Sequence, residues 1–456
     1  MNITLKKFYG QDHPEFRFDD KLTIYIGNNG SGKTTLLNII HNILSCDFNP
    51  LFDREFEQIS IKLETQDYSD VKNYNLSIQE ITVTKRMDKV QILYKTRNEK
   101  TYVFEAEKVN HPFGDYSYEF IREDNIDYTA RYHNFAESLL ELLSEIPVLK
   151  NLHKHVFLLK KSILYFPTYR RIDSDLLSLL EQNNVGRHAM DFEDVTKLFE
   201  SLPDNNKLVG INDNDIDQLF RKYSFSLQTK SSRGLNSVLK NIISSLIETS
   251  FKNEDSKPQQ VRSKKSINHK DSAEKLIDLA NQLKLTNVNS DSIIDYFNLQ
   301  ELDNSSESNE KYNSELIREL IDSYSSHLVS MEQTLKPFVF LEENFKKFSK
   351  GRLFLEMDDK TYLIKLSKPF KALSTGEKQL VTILSYSALL NNNMYKPFII
   401  IDEPELSLHL SWQLELLPTL LKLPNSPKLL IATHSPYIAN NTFKKNIWAI
   451  GETDDI

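Results

Sequence analysis

The chain has 456 residues, long enough for two or three domains, and a formal net charge of −8. That charge argues against coating nucleic acid by bulk attraction and leaves only a local basic groove open. A single cysteine, Cys46, excludes an internal disulfide framework and a cysteine-based zinc site. No apolar run approaches the ~18 residues of a membrane span, and Met1–Lys7 leads into no apolar signal core, so a cytoplasmic protein with no membrane partner is expected.

Ile3–Phe8 reads as a first strand, followed by a turn and a second, buried strand at Leu22–Ile26. Gly27-Asn28-Asn29-Gly30-Ser31-Gly32-Lys33-Thr34 comes next and fits G-x-x-x-x-G-K-[ST]. Behind it, Leu36, Leu37, Ile39, Ile40 and Ile43 recur at helical spacing, with Cys46 expected as a small core residue beyond them. A glycine-rich loop joining a strand to a helix closes backbone N–H groups round an anion at the positive end of the helix. Gly27 through Thr34, with Thr35, are therefore candidates to bind ATP. Lys33 neutralises the outer phosphates and the Thr34 hydroxyl holds Mg²⁺. The competing picture is a glycine-rich turn with a surface lysine. It fits poorly, because glycine is scarce in this chain and three of its 11 glycines (27, 30 and 32) fall in this octet.

Ile59–Leu63, Ile78–Thr84, Val90–Tyr94 and Tyr102–Ala106 are short β-rich runs separated by polar turns, which predicts an antiparallel lobe. From about residue 135 the pattern turns helical, with Leu139, Leu140, Leu142, Leu143 and Leu149. Ile163–Phe166 then reads as a buried strand that leaves the core through Pro167-Thr168-Tyr169-Arg170-Arg171. The two arginines either reach a phosphate or partner, or pair with Asp173 in a solvated turn.

Residues 173–350 are mostly helical and polar. The stretch 252–272 reads as a loop whose Lys257, Arg262, Lys264, Lys265 and Lys270 are either solvated or available to DNA. After a polar break at 303–311, Leu316, Leu320, Tyr324, Leu328, Met331 and Leu335 form one stripe of a long helix that Pro337 is expected to kink or end. That stripe is either internal packing or a partner seam.

Leu353–Met357 and Tyr362–Leu366 predict a hairpin. Ser374 and Glu377 then form a capping box that opens a helix. Phe398–Ile401 is a continuous apolar strand that delivers Asp402 and Glu403 at its C-terminal end, where ligands sit in open α/β sheets. A helix with Trp412, Leu414, Leu417 and Leu420 follows. The strand Leu429–Ala432 comes next and ends in Thr433-His434-Ser435-Pro436. Together these elements point to ATP hydrolysis. Thr34 and Asp402 are the Mg²⁺-holding pair, Glu403 polarises the attacking water, and His434 bonds the γ-phosphate or that water.

Leu373–Gln379 resembles the LSGGQ-type signature of ABC ATPases, in the LSxGE form similar to SMC and RecF proteins. Phe398–Glu405 is similar to their Walker B strand, Leu406–His409 to their D-loop and Ala432–Pro436 to their histidine switch. Thr375 stands where transporters carry glycine, which points away from transport. The resemblance covers roughly residues 1–50 and 350–445. The implied fold is α/β, an ABC-type P-loop NTPase head with an antiparallel β lobe and a large helical insertion between Walker A and the signature. The implied layout has the first part of the head in 1–134 and the insertion in 135–350, except for a head strand near 162–167. The rest of the head lies in 351–456. A head-to-head dimer or higher oligomer is also implied, in which Ser374, Gly376 and Glu377 of one subunit close over the ATP of the other. The Pro167–Arg171 turn is the candidate for the family's Q-loop.

The Asp402–His409 segment, the Pro-Thr-Tyr-Arg-Arg turn and the histidine motif resemble ATPases grouped with OLD-type proteins. The tail after His434 holds no carboxylate cluster for a nuclease site. The layout therefore resembles stand-alone ATPases of bacterial anti-phage systems, such as AriA of PARIS or PtuA of Septu and its retron relatives. That likeness implies a sensor or scaffold that holds a separate toxic nuclease effector and releases or activates it on a phage-encoded trigger. Two other roles stay open: a RecF/SMC-like repair ATPase with DNA as partner, and an ATP-gated scaffold with negligible turnover.

Overall fold

The computed structural model describes residues 1–8, 11–17, 21–28, 30–64, 67, 77–111, 114–123, 126–127, 138–168, 213–252, 309–358, 361–390 and 395–449. Contacts divide the chain into two compact units. The first is Met1–Ile216 with Asn344–Leu353 and Lys368–Ile456, and the second is Asp217–Glu343 with Phe354–Ser367.

Strands β1 (Asn2–Phe8), β2 (Gln11–Arg17) and β3 (Leu22–Ile26) open the first unit, and helix α1 (Lys33–Leu44) follows. Then come β4 (Gln58–Lys62), β5 (Ile78–Arg86), β6 (Lys89–Thr96), β7 (Thr101–His111), β8 (Gly114–Glu123) and β9 (Ile126–Asp127). Helices α2 (Leu139–Glu145) and α3 (Lys150–Lys161) lead to β10 (Ile163–Phe166). The long helices α4 (Asp213–Lys252) and α5 (Asn309–Ser349) precede the hairpin β11 (Leu355–Met357) and β12 (Ile364–Leu366). Helix α6 (Thr375–Leu389), β13 (Phe398–Asp402), α7 (Leu410–Leu420), β14 (Lys428–Ala432) and β15 (Ile447–Ala449) complete the described chain.

Two sheets build the first unit. The antiparallel one has eight strands in the order β2-β1-β4-β5-β6-β7-β8-β9. The expected first strand belongs to it: Ile3 pairs with Ile61 and Leu5 with Ile59, and all four are buried on one face. The expected turn after it is itself a strand, β2, which carries Pro14 and sits at the sheet edge, where a residue lacking an N–H is tolerated.

The second sheet is parallel, in the order β10-β13-β14-β3-β15. All five residues of β13 are buried, as befits a strand covered on both faces. One apolar core fills the space around α1. It takes in Leu37 and Ile40 of α1, Ile61, Ile92 and Phe104 of the antiparallel sheet, Leu142 and Val156 of α2 and α3, and Ile400 and Leu430 of the parallel sheet.

In the second unit α5 does not end at Pro337, which lies inside the continuous helix. The loss of one backbone hydrogen bond is outweighed there by a buried face that includes Tyr324, Met331, Phe338 and Leu341. Leu328 and Leu335 of the expected stripe are only half-buried, while His327 is buried. Gly234 on α4 explains the exchange, because a Cβ there would lie 1.9 Å from His327 Nδ1. In the first unit Leu414, expected on the apolar face of α7, is exposed. That helix buries Gln413, Leu416, Leu417 and Leu420 instead. Arg170, Arg171, the basic loop at 257–270 and most of the polar break, 303–308, lie outside the described residues.

Candidate functional site

The loop after β3 is shaped by two left-handed glycines, Gly30 (φ +83°) and Gly32 (φ +90°), a conformation that carries no penalty only for glycine. Ser31 N donates to Asn28 O at 3.2 Å, and Leu36 N donates to Gly32 O at 2.9 Å. Gly32 caps α1 with no side-chain hydrogen bond, and the first turn of α1 holds no acidic residue. The positive helix end thus meets no protein carboxylate within its own turn. Asn29 lies outside the described residues.

Lys33 is buried, and its Nζ donates to Gly27 O (2.8 Å), Asn28 O (3.0 Å) and Ser31 Oγ (3.4 Å). Burial holds its pKa below the ordinary lysine value, opposed by the charges of Glu403, Asp402 and Glu405. Next to it, Thr34 Oγ1 donates to Asp402 Oδ2 at 2.8 Å across 368 residues of sequence. Strand order explains the meeting, since β14 is the only strand between β3 and β13.

Asp402 is 2% exposed, and a second hydroxyl, Thr168 Oγ1, also donates to its Oδ2, at 2.9 Å. Its other oxygen, Oδ1, is buried and has no hydrogen-bond partner. A bare, buried carboxylate oxygen beside a threonine hydroxyl suits a hard cation with oxygen ligands. Among the described residues no cluster of three or more His, Cys, Asp or Glu with metal-binding geometry occurs. A cation here would be held by Asp402, Thr34 and the phosphates of a ligand.

Glu403 leaves β13 in a left-handed conformation (φ +48°), uncommon for a residue with a side chain and typical of functional turns. Its backbone N donates to Ala432 O at 2.8 Å. Burial, and then the neighbouring Asp402 charge, raise its carboxyl pKa above the ordinary glutamate value. His434 Nε2 lies 3.5 Å from Glu403 Oε1, so the expected water-polarising acid and the expected phosphate sensor face each other.

Three residues absent from the expected set tie this region together. Glu405 accepts hydrogen bonds from Thr433 Oγ1 (2.8 Å), His434 N (2.7 Å) and Ser435 N (3.2 Å), fixing the turn that carries His434. Gln413 accepts from Ser435 Oγ at 2.7 Å and donates to Leu408 O at 2.9 Å. Thr168 is the third. No local pattern marks Glu405 or Gln413; a hydroxyl just past a strand parallel to the Asp402 strand was a usable signal for Thr168.

Ser374 and Glu377 make both halves of a capping box at the start of α6. Burial alone raises the Glu377 pKa, but the backbone and hydroxyl hydrogen bonds of Ser374, together with the charges of Arg352 and Lys368, outweigh it, and the net shift is downward. Gly376 faces the 3-10 turn Pro404–Ser407, and a Cβ on it would lie 2.5 Å from Ser407 O. Ser374 and Thr375 are exposed, and among the described residues no hydrogen bond or ion pair joins Ser374, Gly376 or Glu377 to the phosphate loop.

The chain is 34% identical to the Retron Ec83 probable ATPase of Escherichia coli over 87 residues, which is 17% of this chain and 16% of that protein. Among solved structures, the Smc head domain of Pyrococcus furiosus with an extended coiled coil, bound to the C-terminal domain of ScpA, aligns at 14% identity. That alignment covers 98% of this chain and 92% of the other, with a TM-score of 0.38. The Smc head with a coiled coil and joint from Pyrococcus yayanosii aligns at 16% identity over 99% and 95% of the two chains, with a TM-score of 0.33. The strands and loop described above form an α/β P-loop ATPase head with an antiparallel β lobe, and α4 and α5 lie between the phosphate loop and the α6 motif. The family model described as "AAA ATPase domain" matches residues 1–439, and the chain belongs to that family.

Proposed function

We propose that this protein binds ATP with Mg²⁺ and hydrolyses it to ADP and phosphate. The observation that carries the proposal is the Thr34–Asp402 contact at 2.8 Å, which brings the phosphate loop to the end of the β13 strand. The loop amides and Lys33 cradle the phosphates, while Thr34 and Asp402 hold the cation. Mg²⁺ held there would supply positive charge to offset that of the phosphates. Glu403, with its raised pKa and its position beside His434, accepts the proton of the attacking water. His434 orients Glu403 and senses the γ-phosphate. Gly27, Asn28, Asn29, Gly30, Ser31, Gly32 and Thr35 complete the ATP contacts. Ser374, Gly376 and Glu377 act in trans, closing over the ATP of a second copy, with the positive start of α6 directed at it.

The biological setting we infer is a bacterial anti-phage system. There the ATP-bound oligomer holds a separate nuclease effector and releases or activates it on a phage-encoded trigger. The motif resemblance and the short match to a retron ATPase support this setting.

Two variants test the chemistry. Lys33→Ala loses nucleotide binding, and Glu403→Gln binds ATP, stops turning it over and remains associated by light scattering. Wild-type turnover in Glu403→Gln removes Glu403 from its role. Affinity purification of Glu403→Gln from its host with ATP and Mg²⁺ tests the setting. A stoichiometric nuclease-like partner supports effector holding, whereas abundant DNA without such a protein replaces it with a repair role.

A further inference from the structure

Asp402 is held by two hydroxyls, and only one of them belongs to the phosphate loop. The other, Thr168 Oγ1, reaches the same Oδ2 at 2.9 Å that Thr34 Oγ1 reaches at 2.8 Å. Its place follows from strand pairing. β10 runs parallel to β13 with Phe166 opposite Ile401, so the chain two residues past Phe166 leaves the sheet alongside the Asp402–Glu403 step.

Two donors on one oxygen fix the rotation of the carboxylate. The oxygen they leave free, Oδ1, is the buried one with no partner. A carboxylate locked in this way presents one anionic oxygen in a constant direction, which is what a small cation with strict geometry needs. Groups that hydrogen-bond a ligating carboxylate tune metal affinity without touching the metal.

We propose that Thr168 is a positioning residue for the Mg²⁺ of the ATP site, orienting Asp402 through Oδ2 so that Oδ1 is held for the cation. This rests on the ATP and Mg²⁺ assignment above. A hydroxyl that merely tied the end of β10 to β13 would leave cation affinity unchanged when removed, provided the fold survived.

The test compares Thr168→Val, Thr168→Ala and Thr168→Ser in the full chain, with Asp402→Asn alongside. Mn²⁺ affinity in the presence of ATP is read by electron paramagnetic resonance, and ATP affinity in EDTA by fluorescence titration. The expected result is a Mn²⁺ dissociation constant raised about tenfold in Thr168→Val and Thr168→Ala. The Ser variant stays within about threefold of wild type, and metal-free ATP affinity is unchanged in all three. Either folded variant lacking the hydroxyl suffices. Wild-type Mn²⁺ affinity in it, with affinity lost in Asp402→Asn, overturns the role of Thr168 alone. Weakening in Thr168→Ser equal to that in Thr168→Val also overturns it, because side-chain shape would then be the cause. Wild-type Mn²⁺ affinity in Asp402→Asn removes the cation assignment itself.

Discussion

Replacing Gly376 with alanine sets two effects of opposite sign against each other. Gly376 is the second residue of α6, and its φ is not positive, so alanine gains helix propensity there, worth at most ~1 kcal/mol. Against this, the added Cβ would stand 2.5 Å from Ser407 O, 3.6 Å from Ser407 C and 3.8 Å from the Trp412 ring. The first distance is about 1 Å short of the separation at which carbon contacts become favourable. The obstructing atom is backbone, so no rotamer change relieves it. Either the start of α6 or the Pro404–Ser407 turn must move, which also strains the hydrogen bond from Gln379 Nε2 to Pro404 O (3.2 Å). Because the obstruction is backbone, the overpacking cost falls in the upper part of the ~1–3 kcal/mol range, about 2–3, and the propensity gain leaves a net loss of about 1–2 kcal/mol. Both tryptophans, Trp412 and Trp448, fall in the first unit, so their fluorescence during urea unfolding follows that unit alone. The expected outcome is a lower midpoint at constant slope. A midpoint equal to or above wild type would mean that helix propensity acts unopposed, and the close approach to Ser407 would have to be abandoned.

Glu405→Ala removes the acceptor for Thr433 Oγ1 and for the backbone N–H groups of His434 and Ser435. With Thr433 and Ser435 buried, the loss is about 2–4 kcal/mol, and hydrogen exchange at the 434 and 435 amides should accelerate; unchanged protection there refutes the clamp. His41 packs its ring 5.1 Å from that of Tyr165, and burial depresses its pKa from 6.5 to about 4. The unfolded chain therefore binds this proton more readily than the folded one between those values, so stability falls with the pH across that window, by roughly 3 kcal/mol. A His41→Phe variant should lose correspondingly less stability between pH 7 and pH 4. An acid profile identical to wild type would show that His41 does not drive the loss. The nucleotide variants of Lys33 and Glu403 and the Thr168 series complete the set.

The nucleotide-binding half of the molecule was the legible part because its signals are local. Three glycines in one octet, a run of four apolar residues before Asp402 and Ser374 spaced from Glu377 each specify an element within a few residues. β8 carries a usable alternation in Tyr116, Tyr118 and Phe120, although it lies beyond the four β-rich runs named above. β2 carried almost none, and its Pro14 argued against a strand unless the strand lay at an edge. Sheet membership is a long-range property, and nothing within β1 itself says that its partners are β2 and β4. The same holds for the polar network. Glu405 serves residues 28 to 30 positions away and Thr168 serves one 234 away, distances over which no periodicity survives. His327 was hidden for a related reason, since only the glycine opposite makes room for an imidazole on a stripe of leucines.

The place of β3 in the parallel sheet has a consequence for biosynthesis. Its neighbours are β14 and β15, so the strand that carries the phosphate loop has no partner until residues 428–449 have been made. On the ribosome, α1 can pack early against the antiparallel strands of its core, but β3 stays unpaired while roughly four hundred further residues are added. A nucleotide bound at the phosphate loop would therefore stabilise the fold only once β14 and β15 have joined β3, because a ligand shifts folding through the state it binds. For most of synthesis the apolar face of β3 depends on other protection against aggregation.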